Sequence, residues 1–157
     1  MRISIGADHR GVALKEKLVP WLRSEGYEVS DEGAMTTQSV DYPDYAAKVA
    51  EKVAHGEADR GVLVCASGVG MCITANKVHG VRAANCLDDE FARLSRQHND
   101  TNVVCLSGDR LDEETAKRLV NVWLDTEFEG GRHARRVEKI ADLEVHECEQ
   151  HAQSVSE

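Results

Sequence analysis

The stretch RGVLVCASGVGMCI, from Arg60 to Ile73, decides how the chain is organised. Its first half, up to Cys65, is a short apolar run of the kind that forms a buried strand. Glycines at positions 68 and 70 then mark a tight turn, and a helical pattern follows from residue 69. A strand that runs through a glycine turn into a helix is the repeating unit of parallel α/β sheets.

The rest of the chain continues this alternation. Apolar runs with strand character lie at 3–7, 27–29, 62–65, 81–85 and 103–106, and helical spacing is found at 12–24, 45–54, 69–77, 88–97 and 113–124. Asp112 stands where the N-cap of the last of these helices would be. We therefore expect a Rossmann-like three-layer αβα sandwich with a five-stranded parallel sheet and an extra C-terminal helix. A single domain should span residues 1–146, followed by a flexible acidic tail over 147–157.

Composition limits the class of function. The chain has 157 residues, enough for one domain, and is 41% hydrophobic but only 4% aromatic, which predicts an aliphatic core. Its formal net charge of −9 argues against binding to nucleic acid or to an anionic membrane. No apolar run approaches the roughly 18 residues of a membrane span. The five cysteines contain no CxxC pair and fit reduced thiols, so we expect a cytoplasmic protein.

The cysteine that ends the third predicted strand has three interpretations. Buried cysteines are most often inert core thiols. A glycine loop at a helix N-terminus can instead hold an anion, because free N–H groups and the positive end of the helix dipole face it. The same dipole favours a thiolate, so that Cys65 could serve as a base or nucleophile. A dinucleotide-binding loop is the weakest alternative, because the G-x-G follows the third strand instead of the first.

Other titratable residues stand at the ends of predicted elements. Ligands of parallel sheets gather at the carboxyl ends of the strands. Asp8 and His9 follow the first strand and are either a cap and a solvated imidazole or contacts for a hydroxyl and a phosphate. His98 and Asn99 close a helix and are either C-capping residues or, in a strand-end cleft, part of a site with His98 as acid-base group.

Arg132 and Arg136 form a third candidate. They stand four residues apart and so share one face of a helix. Two guanidinium groups on one face suit a phosphate, whereas a solvated basic turn is the simpler interpretation. The sequence around them does not decide between the two.

Six blocks of sequence together resemble the ribose-5-phosphate isomerase B family. They are GADHRG (6–11), DYP (41–43), CASGVG (65–70), ANK (75–77), SRQHNDTNV (95–103) and FEGGRHARRV (128–137). The wider family includes the galactose-6-phosphate isomerase subunits. The resemblance implies interconversion of D-ribose 5-phosphate and D-ribulose 5-phosphate, a step of the pentose phosphate pathway, through a cis-enediolate and without metal or other cofactor. Another substrate, such as galactose 6-phosphate, allose 6-phosphate or erythrose 4-phosphate, stays open, as does a non-catalytic sugar-phosphate-binding domain.

The resemblance also implies roles for single residues. Cys65 would be the base that moves a proton between neighbouring carbons, Ser67 would assist hydroxyl proton movement, and His98 would open the furanose ring. The substrate contacts would be Asp8, His9, Tyr42, Ala66, Gly68, Val69, Gly70, Asn99, Arg132 and Arg136. Among them, the backbone N–H groups of 66–70 would hold the enediolate oxygen, and His9 and the two arginines would hold the phosphate.

One position departs from the family pattern. Many members have an arginine after the fifth strand that also holds the phosphate. Here Asp109 aligns with that arginine and Arg110 stands one place later. Arg110 either takes that role through a shifted loop or does not contact the substrate, and we include it among the expected phosphate contacts.

The resemblance further implies how the chain assembles. The family forms homodimers, sometimes paired into tetramers, whose active sites draw on two subunits. A C-terminal helix with Val137, Ile140 and Ala141 on one side is a candidate for the contact with the partner, although packing on its own domain is the simpler interpretation. No nucleic-acid or membrane partner is expected.

Overall fold

The structure is a computed structural model that describes the backbone of residues 1–155 and the side chains of residues 1–147. Its elements are β1 (Arg2–Ala7), α1 (Val12–Ser24), β2 (Glu28–Asp31), α2 (Tyr42–Ala54), β3 (Arg60–Cys65), α3 (Val69–Ala75), β4 (Ala83–Asn85), α4 (Asp89–Asn99), β5 (Val103–Ser107), α5 (Glu113–Asp125) and α6 (Arg132–Val155). The strands form one parallel sheet in the order β2-β1-β3-β5-β4. The predicted αβα sandwich with five parallel strands is confirmed.

Successive residues of a strand face opposite layers of helices. In β3, Val62 and Val64 pack with residues of α1 and α5, whereas Leu63 and Cys65 pack with residues of α2 and α3. Because both faces of the strand are covered, its residues are apolar without alternation, as the sequence of the third strand suggested. Cys65 therefore points toward the layer that contains α3.

Helix ends follow their capping residues. The carboxylate of Asp112 accepts the N–H of Thr115 at 2.8 Å, which confirms the predicted N-cap of α5. α2 begins at Tyr42 and not at residue 45, because Pro43 falls in its first turn, where a missing N–H leaves no helical hydrogen bond unmade.

The extra C-terminal helix is α6. It packs against α4, and the carboxylate of Glu144 accepts the N–H of Gly80 at 3.0 Å. The backbone of α6 is helical up to Val155 and so extends into the predicted tail over 147–157, whose flexibility stays a prediction. Residues 156 and 157 lie outside the described residues. Over the described part of the chain, each helix is too short or too polar to cross a membrane.

The loops that follow β1 and β3 meet at the carboxyl edge of the sheet. From β1 the chain moves to β2 on one side and then to β3 on the other, so a crevice opens between the ends of β1 and β3. There the N–H of Asp8 donates to the carbonyl of Val64 at 3.1 Å. Gly11 lies so close to the same carbonyl that a Cβ atom would overlap it. This close approach makes the first and third family-like blocks neighbours in space.

Candidate functional site

The thiol of Cys65 lies inside a tight turn. Cys65 is the last residue of β3 and is only 5% exposed. Gly68, at the N-cap of α3, has φ of 81°, a left-handed conformation that glycine adopts without strain. The turn brings the N–H of Gly68 back to Cys65, where it donates to Sγ at 3.1 Å. The sulfur is thus held by the loop that follows it.

Ser67 lies in this turn, and Tyr42, at the start of α2, packs against it. Ser67 is exposed, and its Oγ accepts the N–H of Val69 at 3.2 Å. The ring of Tyr42 lies against Gly70, where a Cβ atom would overlap it. Two of the N–H groups expected to hold an enediolate oxygen, at 68 and 69, therefore contact the side chains of Cys65 and Ser67 here.

Two residues that the sequence analysis did not single out hold this loop. Ser107 ends β5, and its hydroxyl donates to the carbonyl of Ala66 at 2.6 Å and accepts the N–H of Arg110 at 3.2 Å. Asn85 ends β4, and its amide donates to the carbonyl of Ser67 at 3.2 Å. Each is a polar last residue of a strand, and that position is the signal by which sequence reasoning could have found them.

A cavity of about 440 Å³ opens beside the loop. It is lined by Ala66, Ser67, Val69, Asn85, Leu87, Ser107, Asp109 and Arg110. Asp109, the residue that departs from the family pattern, forms an exposed ion pair with Arg10, with Oδ2 and Nη2 2.7 Å apart. Arg110 lines the cavity, and its contact with the phosphate stays a prediction.

Asp8 and His9 lie at the same edge, and both make local hydrogen bonds. Oδ1 of Asp8 accepts the N–H groups of Arg10 and Gly11 at 2.9 and 3.0 Å, so the carboxylate does cap its loop. Nδ1 of His9 accepts the N–H of Val40 at 3.2 Å. In a neutral ring this leaves Nε2 as the donor, the state that suits a phosphate oxygen. Capping and ligand contact are therefore compatible here.

His98 and Asn99 lie at the other edge of the sheet. Because β4 and β5 are parallel, α4 runs back from the carboxyl edge to the amino edge, over about 16 Å for its length. Its end is fixed there by Arg82, whose Nε donates to the carbonyl of Asn99 at 3.0 Å just before β4 begins. Of the two interpretations of His98 and Asn99, a place in the strand-end cleft is therefore not found within one chain, and the roles that the resemblance implies for them stay predictions. A helix that follows a parallel strand ends far from that strand's carboxyl end.

The start of α6 joins His98 at this amino edge. The ring of His98 stacks on that of His133, with centroids 4.2 Å apart and planes 8° apart. Burial lowers the pKa of His133, and the neighbouring charges of His98 and Arg132 lower it further. His133 is therefore a neutral platform for His98 near pH 7. Arg132 and Arg136 are exposed on the first turns of the same helix, beside this stack.

Three residues of this region have possible metal-ligand atoms close together. The ligand atoms of His98, Glu129 and His133 all lie within 4.8 Å of one another. An imidazole lone pair lies in the plane of its ring, and zinc binds it at about 2.0–2.1 Å. Stacked, nearly parallel rings cannot both direct lone pairs at one ion at that distance. In this orientation the three residues do not form a metal site.

The structure thus divides the expected site residues into two clusters. We call them the thiol cluster (Asp8, His9, Tyr42, Cys65, 66–70 and Arg110) and the imidazole cluster (His98, Asn99, Arg132 and Arg136). The first lies at the carboxyl edge of the sheet and the second at the amino edge. Within one chain, they do not meet.

Comparison with known proteins gives consistent matches. A family model described as Ribose/Galactose Isomerase matches residues 3–140. Ribose-5-phosphate isomerase B of Escherichia coli is 47% identical, over 91% of this chain and 96% of that protein. D-erythrulose-4-phosphate isomerase of Pectobacterium atrosepticum is 40% identical, over 96% and 99%. The solved structure of ribose-5-phosphate isomerase B from Clostridium thermocellum has a TM-score of 0.90 at 49% identity, over 92% and 97%.

Proposed function

Because the chain belongs to the ribose/galactose isomerase family, we propose that it is an aldose-ketose isomerase that interconverts D-ribose 5-phosphate and D-ribulose 5-phosphate. The observation that carries the proposal is the turn at 65–70. It places a thiol, a hydroxyl and backbone N–H groups together beside a cavity. Isomerisation of this type needs a base for a weakly acidic C–H group and donors for the oxygen that becomes negative.

The proposed steps use the thiol cluster for proton transfer. The thiolate of Cys65 removes the proton from C2 of the open-chain aldose, and the electron pair forms the C1–C2 double bond while O1 becomes negative. Backbone N–H groups of 66–70 stabilise O1. Ser67 assists the movement of a proton from O2 to O1, and Cys65 then returns its proton to C1. The product is the ketose.

The imidazole cluster supplies the remaining steps in this proposal. His98 opens the furanose ring by moving a proton between O1 and the ring oxygen, and the face of His133 fixes the orientation of its imidazole. Asn99, together with Asp8 of the thiol cluster, contacts substrate hydroxyl groups. The phosphate binds to Arg132 and Arg136 and to His9.

Since the two clusters lie at opposite edges of one chain, we propose that each active site combines the thiol cluster of one subunit with the imidazole cluster of another. A homodimer, alone or paired into a tetramer, provides this arrangement through twofold symmetry. The separation of Cys65 from His98 supports the proposal. The cytoplasmic location stays a prediction.

The substrate is tested by comparing kcat/KM for ribose 5-phosphate, allose 6-phosphate, galactose 6-phosphate and erythrose 4-phosphate. We expect ribose 5-phosphate to be favoured by about tenfold or more, because one carbon more or less changes the fit by that order. Excess EDTA should leave the rate unchanged. A higher value for the four-carbon sugar, the substrate class named for the Pectobacterium relative, would replace ribose 5-phosphate in the proposal. No turnover of any of them would favour a binding domain.

Arg110→Ala tests the departure from the family pattern. If the guanidinium contacts phosphate from its place in the cavity wall, KM for ribose 5-phosphate should rise about 10- to 100-fold with a smaller change in kcat. Arg118→Ala is the control, because Arg118 pairs with Asp89 outside the cavity lining. Steady-state kinetics give KM and kcat for both variants. A KM for Arg110→Ala equal to that of the control would remove Arg110 from the phosphate site.

A further inference from the structure

Asn85 lies between the end of β4 and the turn that follows Cys65. Its side-chain N–H donates to the carbonyl of Ser67 at 3.2 Å. Its amide also packs against Gly68 so closely that a Cβ atom on that glycine would overlap the amide oxygen. Asn85 therefore contacts the turn at two successive residues, and it is also one of the residues that line the cavity.

One peptide group connects this contact to the thiol. The carbonyl of Ser67 and the N–H of Gly68 belong to the same planar trans peptide unit and so point in opposite directions. Asn85 holds the carbonyl end, and the N–H end donates to Sγ of Cys65 at 3.1 Å. A rotation of this peptide would disturb both hydrogen bonds together.

Packing alone does not explain an asparagine at this position. Its amide oxygen is buried and has no hydrogen-bond partner among the described residues. A buried acceptor without a partner lowers stability, and a leucine of similar size would avoid that cost. What leucine lacks is the N–H that holds Ser67.

We propose that Asn85 is a positioning residue for Cys65, which fixes the peptide between Ser67 and Gly68 and so aims the Gly68 N–H at the sulfur. The inference rests on the proposed function, in which Cys65 is the base. A base must approach its proton in one orientation, and a misplacement of about 1 Å can lower a rate by about 100-fold. Asn85 acts through the peptide and need not touch the substrate.

The first test is Asn85→Leu, with Asn85→Asp as a second variant that keeps the shape but replaces the donor by a carboxylate. For both, kcat for ribose 5-phosphate should fall about 10- to 100-fold with little change in KM. The Tm of Asn85→Leu should be unchanged or higher, because the unpartnered oxygen is gone. If Asn85 served only to stabilise the fold, its replacement would instead lower Tm.

The second test measures the reactivity of the Cys65 thiol and does not depend on turnover. Iodoacetamide alkylation at pH 7, followed peptide by peptide by mass spectrometry, should be about tenfold slower at Cys65 in Asn85→Leu than in the wild type. Cys72 is the internal control in the same sample. It is half-buried on α3, and hydrogen bonds, first with Cys105 and then with the backbone N–H of Asn85, lower the pKa of its thiol to about 7, so it reacts measurably. Its rate should not change, because the substitution at Asn85 keeps that backbone N–H.

Asn76→Leu is the matched control variant. Its amide bonds the backbone of Ala83 at 2.8 and 2.9 Å at the end of α3 opposite the turn, so kcat and the alkylation rate of Cys65 should stay near wild type. The Cys72 rate is not compared in this variant, because the Asn76 amide also contacts the Cys72 sulfur at 3.6 Å. Two outcomes would overturn the inference: Asn85→Leu and Asn85→Asp with wild-type kcat and Cys65 reactivity, or faster alkylation of Cys65 and Cys72 alike. If Cys65 is alkylated more slowly in Asn85→Leu than in the wild type but the wild-type chain isomerises none of the sugar phosphates, the proposed function is refuted and the positioning role stands.

Discussion

Replacement of Cys65 by alanine should lower kcat for ribose 5-phosphate by about 10³- to 10⁴-fold and leave KM nearly unchanged. The thiol is the proposed base, and removal of a positioned general base typically has an effect of about 10²- to 10⁴-fold. KM should stay near the wild-type value because the variant keeps the residues expected to bind phosphate, among them His9 and Arg132. Formation of ribulose 5-phosphate in a continuous assay gives both constants.

Cys72→Ala is the control for this variant. It makes the same chemical change on α3, on the other side of the Gly68 turn, and should keep near wild-type activity. If Cys65→Ala retained more than about a tenth of the wild-type kcat, another group would have to be the base. The turn would then be a binding loop only.

A dimer built from two different inactive chains should recover activity. Cys65→Ala lacks the base, and the double variant Arg132→Ala/Arg136→Ala lacks the proposed phosphate contacts, so each homodimer should be nearly inactive. In the mixed dimer, one of the two sites combines an intact thiol cluster with an intact imidazole cluster. Co-expression with two affinity tags and purification on both should therefore yield about half of the wild-type kcat per dimer.

The control is a doubly tagged dimer of Cys65→Ala with itself, which should stay inactive. A mixed dimer without activity would mean that each site is built from a single chain, because neither chain then contains a complete site. This outcome would require a large movement of α4 or α6, since the described residues place the two clusters at opposite edges.

Much of the fold could be predicted from the sequence because its determinants are local. The strands are buried on both faces and so appear as short apolar runs, and Asp112 caps α5 through a residue only three positions away. The apolar spacing begins at residue 45 and so places the start of α2 too late, whereas Pro43, a residue typical of a first helical turn, marks the observed start.

The site could be predicted only in part because its geometry depends on contacts between distant residues. The rule that ligands gather at the carboxyl ends of parallel strands predicts the position of Cys65. It does not apply to His98, which lies at the end of a helix. Asn85 and Ser107 reach the loop because β5 pairs in register with both neighbours, Cys65 facing Ser107 and Asn85 facing Cys105. The apolar pattern does not specify that register, because β3 and β5 are buried on both faces and show no alternation of polar and apolar residues.

The separation of the two clusters has a consequence for the enzyme at low concentration. In the proposed arrangement, a substrate that contacts two subunits binds the assembled form and not the isolated chains. By mass action, bound ribose 5-phosphate then opposes dissociation, and the dimer is held together more tightly when its substrate is abundant. In that arrangement the opposite placement of Cys65 and His98 couples assembly to substrate supply, so dilution should lower the specific activity more when the sugar phosphate is absent.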